Sequence, residues 1–136
     1  MVKKKVLITT TGQRKRAIAR AIARPGKGMI YVNNRTIDLM QPEIAKLLVR
    51  EPLILAGETA KALDISVNVT GGGVMGQAVA SRLAIAKALV EYDKKLKETF
   101  LNYDRTLLIA DARRTEPHKP SRSKAGPRRH KQRSKR

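Results

Sequence analysis

Hydrophobic and polar positions alternate along the first quarter of the chain and then recur mainly at helical spacing, with one further alternating run. Lys5 to Thr11 is rich in β-branched residues and is followed by Gly12, which predicts a first strand ended by that glycine. From Arg14 to Arg24 the alternation is strict. Ala17, Ala19, Ala21 and Ala23 hold one parity, and Arg16, Ile18, Arg20, Ile22 and Arg24 hold the other. A helix over this stretch would have to stop at Pro25. A strand gives one thin alanine face and one Arg/Ile face, so a second strand is expected. Pro25-Gly26-Lys27-Gly28 is a turn, Met29 to Val32 is a further strand ended by Asn33-Asn34, and Arg35 to Ile37 is a short return strand.

Asp38 stands three residues before Gln41, a capping-box spacing, and Pro42 follows near the first helical turn. The helix carries Ile44, Leu47 and Leu48 and should lose its regularity near Pro52, leaving a second short helical piece up to Ala60. Ile65-Ser66-Val67-Asn68-Val69 alternates cleanly and predicts a strand, followed by Gly71-Gly72-Gly73. A long helix is expected from about Met75 to Asp93, with Val79, Leu83, Ala86 and Val90 on one stripe and Ala78, Ile85 and Leu89 widening it. Another helix carries Leu96, Phe100 and Leu101 and ends near Asn102, and Leu107 to Ala110 is a last apolar strand. The fold class expected is an α+β sandwich, helices packed on a mainly antiparallel sheet. Beyond Thr115 no apolar side chain exceeds that of Ala125 apart from prolines, and Pro117, Pro120 and Pro127 interrupt any helix. Such a segment cannot offset its own chain entropy. The division is therefore a globular body over 1–112 and an extended basic tail over 113–136.

Charge sharpens this division. The chain of 136 residues suits one hydrophobic core and carries a formal net charge of +19. Met1 to Ile37 holds ten Lys/Arg and no acid, Asp38 to Ala112 nine against ten acids, and Arg113 to Arg136 eleven against Glu116 alone. A nearly neutral body thus lies between two basic ends, and a polyanionic partner is expected. Cysteine is absent, and the only histidines, His118 and His130, lie in the tail, so neither a metal site nor a cofactor is supported. The start of the chain briefly imitates a signal peptide, but Val6-Leu7-Ile8 is too short an apolar run for one. The longest uncharged stretch, Ile65 to Ser81, is too rich in Gly, Asn, Thr, Ser and Gln for a membrane span. A soluble intracellular protein is the expectation.

Four features could carry chemistry. Glycines between a strand and a helix can offer backbone N–H groups to a phosphate. Gly71 to Gly76 nevertheless lacks the Gly-Lys-Ser/Thr ending of a nucleotide loop, since Gln77-Ala78 follow it. The run is either a turn that needs positive φ or a docking point for an RNA phosphate, with Gly72, Gly73, Gln77 and Arg82 at hand. Catalysis lacks an apparatus, because the body has neither His nor Cys. Glu91, Asp93 and Glu98 read as a solvated helix face paired with Lys94, Lys95 and Lys97. The acid-free basic residues Arg14, Lys15, Arg16, Arg20, Arg24, Lys27 and Arg35 suit phosphate contact. So do Arg113, Arg114, Lys119, Arg122, Lys124, Arg128, Arg129 and Lys131 of the tail. Aromatic residues are few and not clustered, which favours recognition of folded RNA by phosphate and shape. Two rivals remain: a nonspecific nucleic-acid packaging protein and a nucleotide-dependent enzyme.

The run Gly71-Gly72-Gly73-Val74-Met75-Gly76-Gln77-Ala78-Val79-Ala80-Ser81, with Ala84, Ala86, Lys87, Ala88 and Leu89, resembles the signature of the small-subunit ribosomal protein S-nine family. Gly12 to Arg20, Arg24 to Gly28, Glu91-Tyr92-Asp93, Asp111-Ala112-Arg113 and Ser134-Lys135-Arg136 resemble its other landmarks in order. The resemblance implies a ribosomal S5 domain 2-like fold and a cytoplasmic protein in the head of the small ribosomal subunit. It implies small-subunit ribosomal RNA and neighbouring ribosomal proteins of the head as partners. It further implies that the tip, Arg133, Ser134, Lys135 and Arg136, contacts P-site tRNA. Arg133 stands where bacterial members often carry an aromatic, so the tip is read as ionic. The stretch from Thr106 to Glu116 and the proline-rich path of the tail look closer to the archaeal branch.

Overall fold

The computed structural model describes residues 7–115 and 117. Five strands form one sheet in the order β1-β2-β5-β3-β4: β1 is Ile8–Arg14, β2 Ala17–Pro25, β3 Ile30–Val32, β4 Arg35–Thr36 and β5 Leu63–Thr70. Every pairing is antiparallel except that of β3 with β5. The helices are α1, Glu43–Ala56; α2, Glu58–Lys61; α3, Val74–Tyr92; and α4, Leu96–Tyr103. This is the α+β arrangement expected, helices on a mainly antiparallel sheet, and it agrees with an S5-like domain.

The alanine parity of β2 is the inner face. Ala17, Ala19, Ala21 and Ala23 are buried beside Leu63, Ile65, Val67 and Val69 of β5. Methyl groups are short, so helix α3 settles close against β1 and β2. Gly12 makes that approach possible: a Cβ there would stand 2.1 Å from the carbonyl oxygen of Ala80. The glycine expected to end the first strand therefore lies within it, and β1 continues to Arg14. The Thr10 hydroxyl donates to the Ala84 carbonyl and ties the same contact. From Ala78 to Leu89, α3 is buried almost all round, a wider apolar surface than the single stripe expected, because sheet, α1 and α4 all pack on it.

Other expectations change for local reasons. Helix α1 runs through Pro52, whose ring is fully buried, so packing outweighs the missing N–H at that point. The capping box does not form: Asp38 lies in a 3-10 turn, Ile37–Leu39, and its carboxylate takes the Arg50 guanidinium instead. Arg35–Ile37 is a strand only at Arg35–Thr36. Leu107 to Ala110 is not a strand. The Asp104 carboxylate accepts from the Thr106 amide and starts a 3-10 turn at Arg105–Leu107, which sends Leu107 into the core. Helix α3 ends at Tyr92 and Asp93 is extended, so Glu91, Asp93 and Glu98 do not share one helix. Among the described residues none of the three forms the lysine ion pairs expected.

Candidate nucleic-acid interface

Among the described residues only one face of the sheet is covered, and the register fixes what the other presents. Thr11, Arg20 and Asn68 lie in one row, and Thr9, Ile22, Ser66, Tyr31 and Thr36 in the next. Gln13, Ile18 and Thr70 form a row toward the β1–β2 turn, and Arg24 pairs with Asp64 at the far end. The surface is rich in hydroxyl and amide groups, with Arg20 and Arg24 exposed on β2. Its one acid among the described residues, Asp64, is occupied: its carboxylate accepts the amides of Met29 and Lys27, which hold its pKa below the usual carboxylate range. This keeps the β2–β3 turn closed and leaves Lys27 exposed.

At the opposite end, the β1–β2 turn and the glycine run meet. Arg14 pairs with Ala17 across a two-residue turn, where Lys15 takes a left-handed conformation (φ 53°). Gly71 and Gly72 also have positive φ (75° and 66°), and a Cβ on Gly72 would stand 3.0 Å from that of Ala17. The two loops enclose an open cleft of about 700 Å³, lined by Arg14, Lys15, Arg16, Gly72, Gly73 and the first turn of α3, with Thr115. That turn has neither an acid nor a side-chain cap, so among the described residues nothing compensates the positive end of the helix dipole beside exposed Lys15 and Arg16. Such a cleft can hold a phosphate by charge and backbone N–H together.

The sequence candidates thus separate. Lys15, Arg16, Gly72 and Gly73 come together, Arg20 and Arg24 occupy the open face, and Lys27 sits in the turn beyond the other end of β2, roughly 30 Å from Arg16 at strand rise. Arg35 is exposed near the sheet edge and lines a second hollow with Val74 and Gln77. The Gln77 side-chain amide donates to the Gly71 carbonyl, so it braces the glycine loop. Arg14 has an acid that charge counting along the chain missed: its guanidinium lies 2.7 Å from Asp111. Asp111 also takes the side chain and amide of Arg113, and these, with the charge of Arg14, drive its pKa far below the usual range. Arg114 is exposed. Lys119, Arg122, Lys124, Arg128, Arg129, Lys131, Arg133, Ser134, Lys135 and Arg136 lie outside the described residues.

Arg82 requires a correction. It is 7 % exposed, with Nε 2.6 Å from Glu51 and Nη2 2.9 Å from Asp104. Its charge is spent inside the protein, joining α1 and α3 to the turn after α4, and it does not face solvent RNA. Partial burial works to raise the Asp104 pKa, but the Thr106 amide and Arg82 outweigh it and lower it. Among the described residues no cluster of His, Cys, Asp and Glu could hold a metal, and no helix is long and apolar enough to cross a membrane.

The family model described as ribosomal protein S9/S16 matches residues 12–136. Small ribosomal subunit protein uS9 from Methanococcus maripaludis, strains C5 and C7, is 51 % identical over 130 residues, 94 % of this chain and 97 % of that protein. The protein of the same description from Methanococcus vannielii matches at the same identity and extent. These are archaeal relatives, in line with the expected branch.

Proposed function

The chain belongs to the ribosomal protein S9/S16 family, and from that premise we propose that it is a structural constituent of the small ribosomal subunit, docked on ribosomal RNA. The observation that carries this is the cleft between the β1–β2 turn and the glycine run, where exposed Lys15 and Arg16, without an ion pair among the described residues, lie beside a helix N-terminus that has no side-chain cap. Lys15 and Arg16 take phosphate there, while Arg20 and Arg24 meet the backbone of a folded RNA across the open sheet face, and Arg113, Arg114 and the tail continue the contact. Hydroxyl and amide groups between the two arginines suit the 2′-hydroxyls and phosphates of an A-form surface. The finer proposal is that this happens in the subunit head, beside other ribosomal proteins, and that Lys135 and Arg136 steady P-site tRNA by charge.

Binding of the full chain to small-subunit ribosomal RNA and to duplex DNA, at matched salt, tests the main reading. Tighter binding to the ribosomal RNA is expected; equal affinity would favour a packaging protein instead. For the tip, subunits whose copy lacks Lys135 and Arg136 should assemble normally yet release P-site tRNA faster. Unchanged release would refute that role.

A further inference from the structure

The helical side of the molecule carries an aliphatic stripe that no described residue covers. Ile44, Leu47 and Ile54 are 64, 55 and 74 % exposed. Their spacing puts them on one outer line of α1, away from the buried Ala45, Val49, Pro52 and Ala56. Tyr103, also exposed, lies close to Glu51 of that helix and extends the surface to α4. Single exposed aliphatic residues are ordinary, but several aligned on one face mark a surface that another molecule covers.

Charge indicates which molecule. From Ile37 to Lys61 there are four acids against three bases, and from Glu91 to Asp104 again four against three, in a chain of net charge +19. Eight of the eleven acids lie in these two stretches. Three cations around the stripe are engaged by acids, Arg50 with Asp38, Lys61 with Glu58, and Arg82 with Glu51 and Asp104, while the Lys46 ammonium donates to the Asp38 carbonyl. Glu43 is exposed and makes no ion pair among the described residues. A phosphate backbone would meet carboxylates and bare aliphatic groups here, a poor match. A second copy would bring another +19 against the first.

We infer that the outer face of α1 docks a basic amphipathic segment of another protein in the assembled subunit. Its apolar residues cover Ile44, Leu47 and Ile54, and a lysine or arginine faces Glu43. The inference rests on reading the chain as a small-subunit constituent, and it deepens that reading by dividing the molecule: RNA on the sheet side, protein on the helical side.

Photocrosslinking in intact small subunits tests it. A benzophenone amino acid is installed at position 47 or, as a control on the open sheet face, at position 68, in cells carrying only that form. Position 47 should give a nuclease-resistant adduct with another small-subunit protein, at a peptide rich in Lys and Arg and containing apolar residues. An RNA adduct, a self-adduct, an acidic peptide, or no adduct while position 68 reacts would each overturn the inference. Absence of an RNA adduct at position 68 counts against the RNA reading of the sheet face and leaves the result at position 47 to be judged alone. The double substitution Ile44→Ser and Ile54→Ser, at exposed positions, should leave the thermal midpoint and RNA binding unchanged. It should lower retention of the crosslinked neighbour through a high-salt wash by roughly ten-fold. Unchanged retention would overturn the docking surface.

Discussion

Two neighbouring glycines have different reasons to be glycine. Gly72 has positive φ and backs onto Ala17, whereas Gly73 has an ordinary φ of −95° and nothing within 4 Å of its Cβ position. Gly72→Ala should therefore cost roughly 1–3 kcal/mol, and Gly73→Ala about 1 kcal/mol or less; chemical denaturation of both variants checks the contrast. Arg82 was visible in the sequence only as another cation beside the glycine run. What withdraws it is burial next to Glu51 and Asp104, partners 31 and 22 positions away, which no local pattern reveals. Arg82→Met should lower stability by about 2–4 kcal/mol, less than for a fully buried pair because Asp104 is partly exposed. The pH dependence has a definite sign. Asp104 binds its proton more weakly folded than unfolded, so its contribution is present above the unfolded value near pH 4 and is lost as pH falls through the lowered one. In Arg82→Met, part of that acid-side slope should disappear from a series of thermal midpoints between about pH 2 and 5.

Elements with a clear two-residue period were readable because alternation alone fixes which side chains face inward. β2 and β5 emerged with the faces expected, Arg and Ile outward on one, Ser and Asn on the other. Elements whose fate depends on a distant neighbour were not readable. Gly12 looks like punctuation until α3 is placed beneath it, and Pro52 looks like a break until its ring is found in the core. Leu107 to Ala110 has strand-like residues but follows an Asp104 that turns the chain first. The close contact of β1 with α3 gives a sharp test. In Gly12→Ala the new methyl meets two backbone atoms, the Ala80 oxygen at 2.1 Å and the Ala84 nitrogen at 2.7 Å, neither of which can rotate aside. A loss of about 3 kcal/mol or more is expected, at the upper end of overpacking effects, and a variant as stable as the parent would disprove the close-packing account.

The whole molecule divides its charges by side, and the sequence showed this only as a division by position along the chain. Among the described residues, the bases from Arg14 to Arg35 lie on the open sheet, its turns and the cleft, while most acids gather on the helical layer. The cleft itself was half legible: each loop was singled out, but their meeting depends on the β2–β5 register, which sets Ile18 against Thr70. If Arg20 and Arg24 both meet phosphates, replacing each by Gln should reduce the slope of log affinity against log salt by about 0.7–0.9 per residue; binding titrations over a salt series read this directly. The row of alanines on β2 has a last consequence. A strand that offers only methyl groups builds a slim hydrophobic layer, so spacing between helix and sheet is set by backbone contact and not by interlocking side chains. Such a body has little slack: a bulkier residue at Ala19 or Ala21 would act as a wedge, lifting α3 and moving the glycine loop away from the turn it faces. The geometry of the cleft at one end is thus governed by the smallness of side chains in the middle of the molecule.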